Sequence, residues 1–465
     1  MLNNIIYFAF QSIFIFYGIL NTLTYIVSYF YGSKISLIFL VALLFNILIV
    51  YFINFLKKNV IINRISFIYY SIAGWFLIIL VSSIPFFELL ILSSLNEIIF
   101  FTTSLVTSTG FNLETTYSND KFILSMWVSI VQNIGALYTL LLFFIYCNLF
   151  INNNLIILSK RNIIKLYIIF LIFLSTFTLI FLFDNYNFFL SFSIASSILS
   201  STGLKVFNSV FLSYDTNYFI IIMMMLSSLL VFPLAIIFAN KSSFKFMTKF
   251  LKKNRLNLSF FIILVMSSFF LFFDINLDAF KKLCFIVSFI TTTGILPAEF
   301  EDQIILSSLN KYLFLIIFIS IIGSFSGTTN GGLKINKLSL FFINFKEELN
   351  KFLFENNIKG VNIIKKGYSQ NQLNTFYSLI ILSLMLIIFS LLIFNISGAS
   401  FKISLIYIIA SLTSTGEAFL IISNINEKIK TEYYFLLDIL MICGRYEFIG
   451  YLLVFNKIFT WRKLL

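Results

Sequence analysis

Long apolar runs separated by short polar loops dominate this chain. A helix that crosses a bilayer needs about 20 mostly apolar residues. Such runs lie near 5–30, 35–56, 65–84, 121–150, 163–183, 215–239, 257–276, 371–395 and 432–456. A tenth, 305–322 with 334–345, is interrupted in its middle. Four further apolar stretches are too short to span: Ile98 to Val106, Phe192 to Leu199, Leu283 to Ile290 and Ile403 to Leu412. Each is flanked on both sides by a full span. The pattern predicts an all-α integral membrane protein whose short helices enter the membrane between long ones and turn back.

Each short stretch ends in a hydroxyl–hydroxyl–Thr–Gly tetrapeptide. The four read Thr107-Ser108-Thr109-Gly110, Ser200-Ser201-Thr202-Gly203, Thr291-Thr292-Thr293-Gly294 and Thr413-Ser414-Thr415-Gly416. One such string would be ordinary loop punctuation. Four, one per unit and all on one predicted side, are an internal repeat. The unit is long helix, short re-entrant helix, loop ending in Gly, long helix. The predicted organisation is two extra helices in 1–58, then repeats at 59–155, 156–250, 251–350 and 351–465. The last repeat is lengthened by the charged stretch from Lys346 to Lys366. Non-helical backbone at membrane depth is tolerated only where it is buried in protein or lines a water-filled path. Four such loops around one axis can point carbonyl oxygens inward and replace an ion's water shell. Gly supplies the backbone angles and the room, and helix C-termini aimed at the axis favour a cation. The sixteen loop residues are therefore candidates for a cation selectivity filter.

Composition agrees with a lipid environment. Hydrophobic types make up 60% and charged types 11% of the 465 residues, against roughly 45–50% and 25% in soluble domains. The net charge of +13 could suggest nucleic acid, but the basic residues cluster in loops after every second span: Lys57, Lys58 and Arg64; Lys160, Arg161 and Lys165; Lys241 to Arg255; Lys346 to Lys366; Arg462 and Lys463. That is the positive-inside pattern, with both termini cytoplasmic and no nucleic-acid partner. The opposite loops carry the acids Glu88, Glu97, Glu114, Asp120, Asp184, Asp215, Glu299, Glu301, Asp302, Glu417 and Glu427. The N-terminus reads as a retained helix, since it lacks a basic start and a cleavage site. His is absent, which removes His-ligated metals and His bases. Cys147, Cys284 and Cys443 sit in apolar runs and read as small buried hydrophobes.

Two features point to a gate. The eighth span is apolar to Ile322 and then meets Gly323-Ser324-Phe325-Ser326-Gly327-Thr328-Thr329-Asn330-Gly331-Gly332. So many glycines with polar fillers will not stay helical. The functional reading is a loop under the filter, and the bland one is a packing kink. Arg445 lies within the last span, where an ionised side chain must face the interior and find partners. Carbonyls from Ser324 to Asn330, or Asp438 two turns away, are the expected partners. Lys334, which opens the second half of the broken helix, fixes that half at the inner interface or lines the exit. Gln132, Asn133 and Asn148 either line a cavity or bond between helices.

At these residues the chain resembles the Trk/Ktr/HKT superfamily of potassium transporters, whose members resemble four fused potassium-channel subunits. The segment from Trp127 through Gln132 to Gly135 is similar to a family signature after the first filter loop. Ser326 to Lys334 is similar to the Gly-rich break in the third repeat, and Gly444-Arg445-Tyr446-Glu447 to a Gly-Arg-x-Glu signature in the fourth. The two N-terminal helices match the bacterial Trk type. The resemblance implies a pseudo-fourfold pore, and Gly at all four filter positions implies potassium, the ligand of the filter residues and the only cofactor expected. It implies the break as gate, a cytosolic nucleotide-binding ring subunit as regulator, and a homodimer in the cytoplasmic membrane. The pattern departs at Val128 and Ala136 in the Trp signature, at Lys205 after the second filter Gly, and at Glu417 after the fourth. Alternatives within the fold are the potassium-translocating subunit of a pump complex and a sodium-permeable or symporting relative. No enzyme signature is present: the chain has no phosphate loop, no ligand cluster and no nucleophile with a base. A membrane enzyme would need convergent carboxylates or a His, and a two-fold inverted-repeat transporter would not show four units of one orientation.

Overall fold

The computed structural model describes residues 2–31, 36–57, 64–90, 94–112, 121–150, 159–184, 186–203, 216–229, 255–271, 278–296, 309–325, 327–335, 370–423 and 429–445, with a few single positions between 338 and 353. Among these it forms helices α1 (Leu2–Phe30), α2 (Ser36–Lys57), α3 (Arg64–Leu89), α4 (Leu95–Val106), α5 (Lys121–Phe150), α6 (Lys160–Phe183), α7 (Phe188–Ser200), α8 (Thr216–Leu229), α9 (Arg255–Leu271), α10 (Ala279–Ile290), α11 (Leu313–Ile322), α12 (Gln370–Ile396), α13 (Phe401–Thr413), α14 (Glu417–Ile422) and α15 (Thr431–Arg445). Five of them, α1, α2, α3, α5 and α6, are long and apolar enough to cross a membrane. The remaining predicted spans are present as α8, α9, α11, α12 and α15, several of them described only in part. The chain is a multi-pass membrane protein.

The four short stretches are the helices α4, α7, α10 and α13. Their starts are set locally. Ser94 caps α4 in a reciprocal box, accepting from the Glu97 N–H at 3.4 Å while the Glu97 carboxylate accepts from the Ser94 N–H at 2.8 Å. Extended residues Asn187, Asp278 and Ser400 precede the other three. At the first turn of α10, Lys281 pairs with Asp278 at 3.0 Å.

The helix order closes into a ring. The long helix that follows each short helix packs on the next short helix: α5 on α7, α8 on α10, α11 on α13, and α15 back on α4. Glycine also lets two of the long helices approach the short helix of their own repeat. A Cβ on Gly135 of α5 would lie 1.9 Å from the Val106 carbonyl oxygen, and one on Gly444 of α15 would lie 2.5 Å from that of Leu412. Both carbonyls belong to the last turn of the short helix in the same repeat. These two glycines therefore let a following helix touch the C-terminal end that it supports.

The extra hairpin α1–α2 docks on the first repeat through Trp127, which is fully buried. Its ring stacks on Tyr17 at 6.0 Å between centroids and meets Phe39 edge-on at 5.2 Å. The indole Nε1–H donates to the Ser82 carbonyl at 3.2 Å, and the Tyr17 and Ser82 hydroxyls are 2.7 Å apart. Lipid supplies no hydrophobic drive between helices, so this contact rests on close packing and interhelical hydrogen bonds. Trp127→Ala opens a cavity at a joint of four helices and should cost on the order of 3 kcal/mol. The expected outcome is a clearly lowered melting temperature of the detergent-purified protein, with Trp127→Phe between it and the wild type.

Candidate functional site

The four tetrapeptides adopt one backbone shape. The second residue and the glycine of each have positive φ: Ser108 52° and Gly110 80°, Ser201 60° and Gly203 66°, Thr292 51° and Gly294 69°, Ser414 59° and Gly416 42°. The left-handed second residue turns the chain back over its short helix. The N–H of the third residue then bonds the carbonyl five positions earlier. Thr109 reaches Ser104 at 2.8 Å, Thr202 reaches Ser197 at 2.9 Å, Thr293 reaches Ser288 at 2.9 Å and Thr415 reaches Ala410 at 3.1 Å. A trans peptide points its C=O opposite to its N–H. The carbonyls of the second residues therefore face away from their own short helices.

The hydroxyls hold this shape from behind. First and third side chains meet in every loop: Thr107 with Thr109 at 2.9 Å, Ser200 with Thr202, Thr291 with Thr293 at 3.3 Å, and Thr413 with Thr415 at 2.9 Å. The first hydroxyl also donates back into its helix, as Thr107 does to the Thr103 carbonyl at 2.6 Å and Thr413 to that of Ile409 at 2.8 Å. Threonine or serine is needed at both positions because each hydroxyl is at once donor and acceptor.

The loops touch in cyclic order. A Cβ on Gly203 would sit 2.0 Å from the Thr293 carbonyl oxygen, on Gly294 2.9 Å from that of Thr415, and on Gly416 2.1 Å from that of Thr109. The glycine of the second, third and fourth loops thus lies against the third-residue carbonyl of the next loop, the fourth meeting the first. Glycine is required here twice over, for its φ and for the approach. The Glu417 N–H adds a fourth-to-first bond to the Gly110 carbonyl at 3.3 Å. The site is lined by neutral carbonyl and hydroxyl oxygens, a chemistry that can stand in for the water shell of a monovalent cation.

The Gly-rich break lies against the second, third and fourth loops, and Arg445 ties it to the first. Its backbone reverses at Gly323, Gly327, Gly332 and Lys334, all with positive φ. The Thr329 hydroxyl donates to the Leu199 carbonyl at 3.0 Å, and the Ser201 hydroxyl donates to the Thr329 carbonyl at 2.9 Å. On the third loop, Asn330 Nδ2 donates to the Thr291 carbonyl and the Gly331 N–H to the Thr292 hydroxyl at 2.7 Å. Gly331 abuts the fourth loop, where a Cβ would lie 2.1 Å from the Thr413 carbonyl oxygen. Contact with the first loop comes through Arg445. Its guanidinium donates to the carbonyls of Thr107 and Thr329, and to that of Ser108 at 3.0 Å.

Of the sequence-predicted site residues, all sixteen loop positions and Gly323, Gly327, Thr328, Thr329, Asn330, Gly331, Gly332, Lys334 and Arg445 converge here. Ser326, Lys205, Tyr446 and Glu447 lie outside the described residues, as does the side chain of Asn148. Arg445 finds the expected break carbonyl but also two carbonyls of the first loop, which sequence reasoning did not assign. Asp438 is not its partner, since Asp438 Oδ1 accepts from the Thr103 hydroxyl of α4 instead. Lys334, expected at the inner interface or the exit, is buried within the break. It is 2% exposed, and its ammonium bonds the Asn330 carbonyl and, at 3.4 Å, the Thr328 hydroxyl. The break thus folds around its own lysine. Gln132 accepts from the Ser196 hydroxyl at 3.4 Å, an interhelical bond from α5 to α7. The short helix α14, the Gly135 and Gly444 approaches and the Thr103–Asp438 contact were not foreseen. An acid in a membrane span was the signal available for the last of these.

No protein-family model and no curated protein matches the sequence. The fold is shared with solved structures. The crystal structure of the potassium transporter TrkH from Vibrio parahaemolyticus superposes with a TM-score of 0.78 at 18% identity, covering 97% of this chain and 98% of that one. The chain has the fold of that protein.

The loop contacts give a graded glycine series. Gly203→Ala and Gly416→Ala combine a left-handed φ, worth about 1–3 kcal/mol, with overlap onto a carbonyl. Gly18→Ala on α1 meets nothing within 4 Å and gains helix propensity of about 1 kcal/mol at most. Thermal melts of the purified variants should show the first two well below wild type and the third at or above it.

Proposed function

We propose that this chain conducts potassium ions across the membrane through a pore whose selectivity filter is the ring of four loops. The observation that carries the reading is the ring itself: four tetrapeptides of one backbone shape, with successive glycines and threonine carbonyls in contact. Carbonyl oxygens supplied at this spacing replace the water shell of an ion without a charged ligand that would hold it. The C-terminal ends of α4, α7, α10 and α13 lead into the loops and add negative partial charge there. Glycine at 110, 203, 294 and 416 keeps the ring open to the ion. The shared fold with a potassium transporter supports potassium as the ion.

The same reading makes the break from Gly323 to Gly332 the gate. It lies against three of the loops, and Arg445 joins it to the first. A guanidinium there opposes cation passage and fixes the loop in place at once. Opening requires the loop to leave, which breaks the Thr329, Asn330 and Gly331 contacts together. A cytosolic nucleotide-binding ring subunit acting on a homodimer in the cytoplasmic membrane supplies the work for that step in this reading. Both termini are then cytosolic.

Flux of potassium and sodium into liposomes holding the purified protein tests the proposal. Deleting Thr328 to Gly331, or Arg445→Ala, should raise potassium flux. Gly110→Ser in the same background should reduce the preference for potassium over sodium by about tenfold, equivalent to about 1.4 kcal/mol. A loop-deleted protein that passes neither ion, or both equally, would end the proposal.

A further inference from the structure

The helix that brings Arg445 to the filter also brings an acid. On α15, Tyr434, Asp438 and Arg445 lie on one face, because positions four and seven apart share a side of a helix. That face follows α4 turn for turn. Tyr434 stacks on Phe100 at 4.4 Å, Asp438 bonds Thr103, and Arg445 bonds the carbonyls of Thr107 and Ser108. Thr103 is one turn before the first filter loop, and its carbonyl accepts from Thr107 at 2.6 Å. Asp438 therefore stands directly behind that loop, about 10 Å along the helix from Arg445 at about 1.5 Å per residue. Among the described residues no cation lies within ion-pair distance of it, the one pair there being Lys281 with Asp278.

A brace does not need an acid at this place. The Thr103 hydroxyl donates to the Asp438 carboxylate and lies 2.8 Å from the Phe100 carbonyl. An asparagine at 438 could accept the same bond from Thr103 through its Oδ1. What asparagine lacks is charge, and a charged group within a membrane span is costly enough to mark function. The field of a carboxylate in a medium that screens poorly reaches across a pore wall. Resting on the conduction reading above, we propose that Asp438 is the specificity-independent affinity determinant of the pore: a positioning charge that draws cations to the first loop and offsets the Arg445 guanidinium beneath it. A charge acting from behind the wall touches no ion. It therefore raises affinity for all monovalent cations by the same factor and leaves their order to the loops.

The test is cation binding to the full-length purified protein, read as the rise in melting temperature with potassium or rubidium chloride at ionic strength held constant with choline chloride. Asp438→Asn should raise the half-saturating potassium concentration about tenfold, and that for rubidium by the same factor. Asp438→Glu should stay near wild type. Asp438→Ser, neutral and small, repeats the measurement should the Asn variant not fold. An Asn variant that titrates like wild type overturns the proposal. So do unequal shifts for the two cations, which would mean a distorted loop. A wild type that gains no stability from potassium would bring down the conduction reading itself, a result distinct from a stabilised wild type matched by its Asn variant.

Discussion

A backbone amide inside a membrane must find a partner, and four stretches of this chain leave the helical state at that depth. Everything else in the structure answers that constraint. Each loop turns its N–H groups back to its own short helix through a left-handed residue, as Thr109 does to Ser104 and Thr293 to Ser288. The carbonyls of the second residues are then turned the other way, off their own short helices. Loops built like this cannot face lipid, so they must gather at an axis, and a closed ring of helices is the way to gather four. The packing of α15 on α4 closes it.

The same economy explains the break in the third repeat. Its polar groups find partners in the loops it packs against. Lys334 and Arg445 place two cationic groups against backbone carbonyls rather than against carboxylates. Carbonyl dipoles solvate a cation without neutralising it, so the positive field persists.

Low sequence identity beside a shared fold follows from the same physics. Positions facing lipid, such as Leu48, Phe52 and Phe389, need only be apolar, and drift among apolar types leaves the helices unchanged. The positions with no substitute are few. Gly203, Gly416 and Gly331 each lie where any side chain meets a carbonyl oxygen.

The sequence by itself determined the membrane class, nearly all the helix positions, the short helices and the sixteen loop residues. It could do so because hydrophobic length and a fourfold repeated tetrapeptide are local signals. It also marked the break, since glycine density is local too. Only the tertiary structure decided what meets what. It sent Asp438 to Thr103 rather than to Arg445, buried Lys334 inside the break, and set Gly135 and Gly444 against the ends of short helices. Those outcomes depend on which helix follows which around the ring and on the register between them. Thr103 and Asp438, 335 positions apart, are joined there by a hydrogen bond, and no pattern along the chain encodes it.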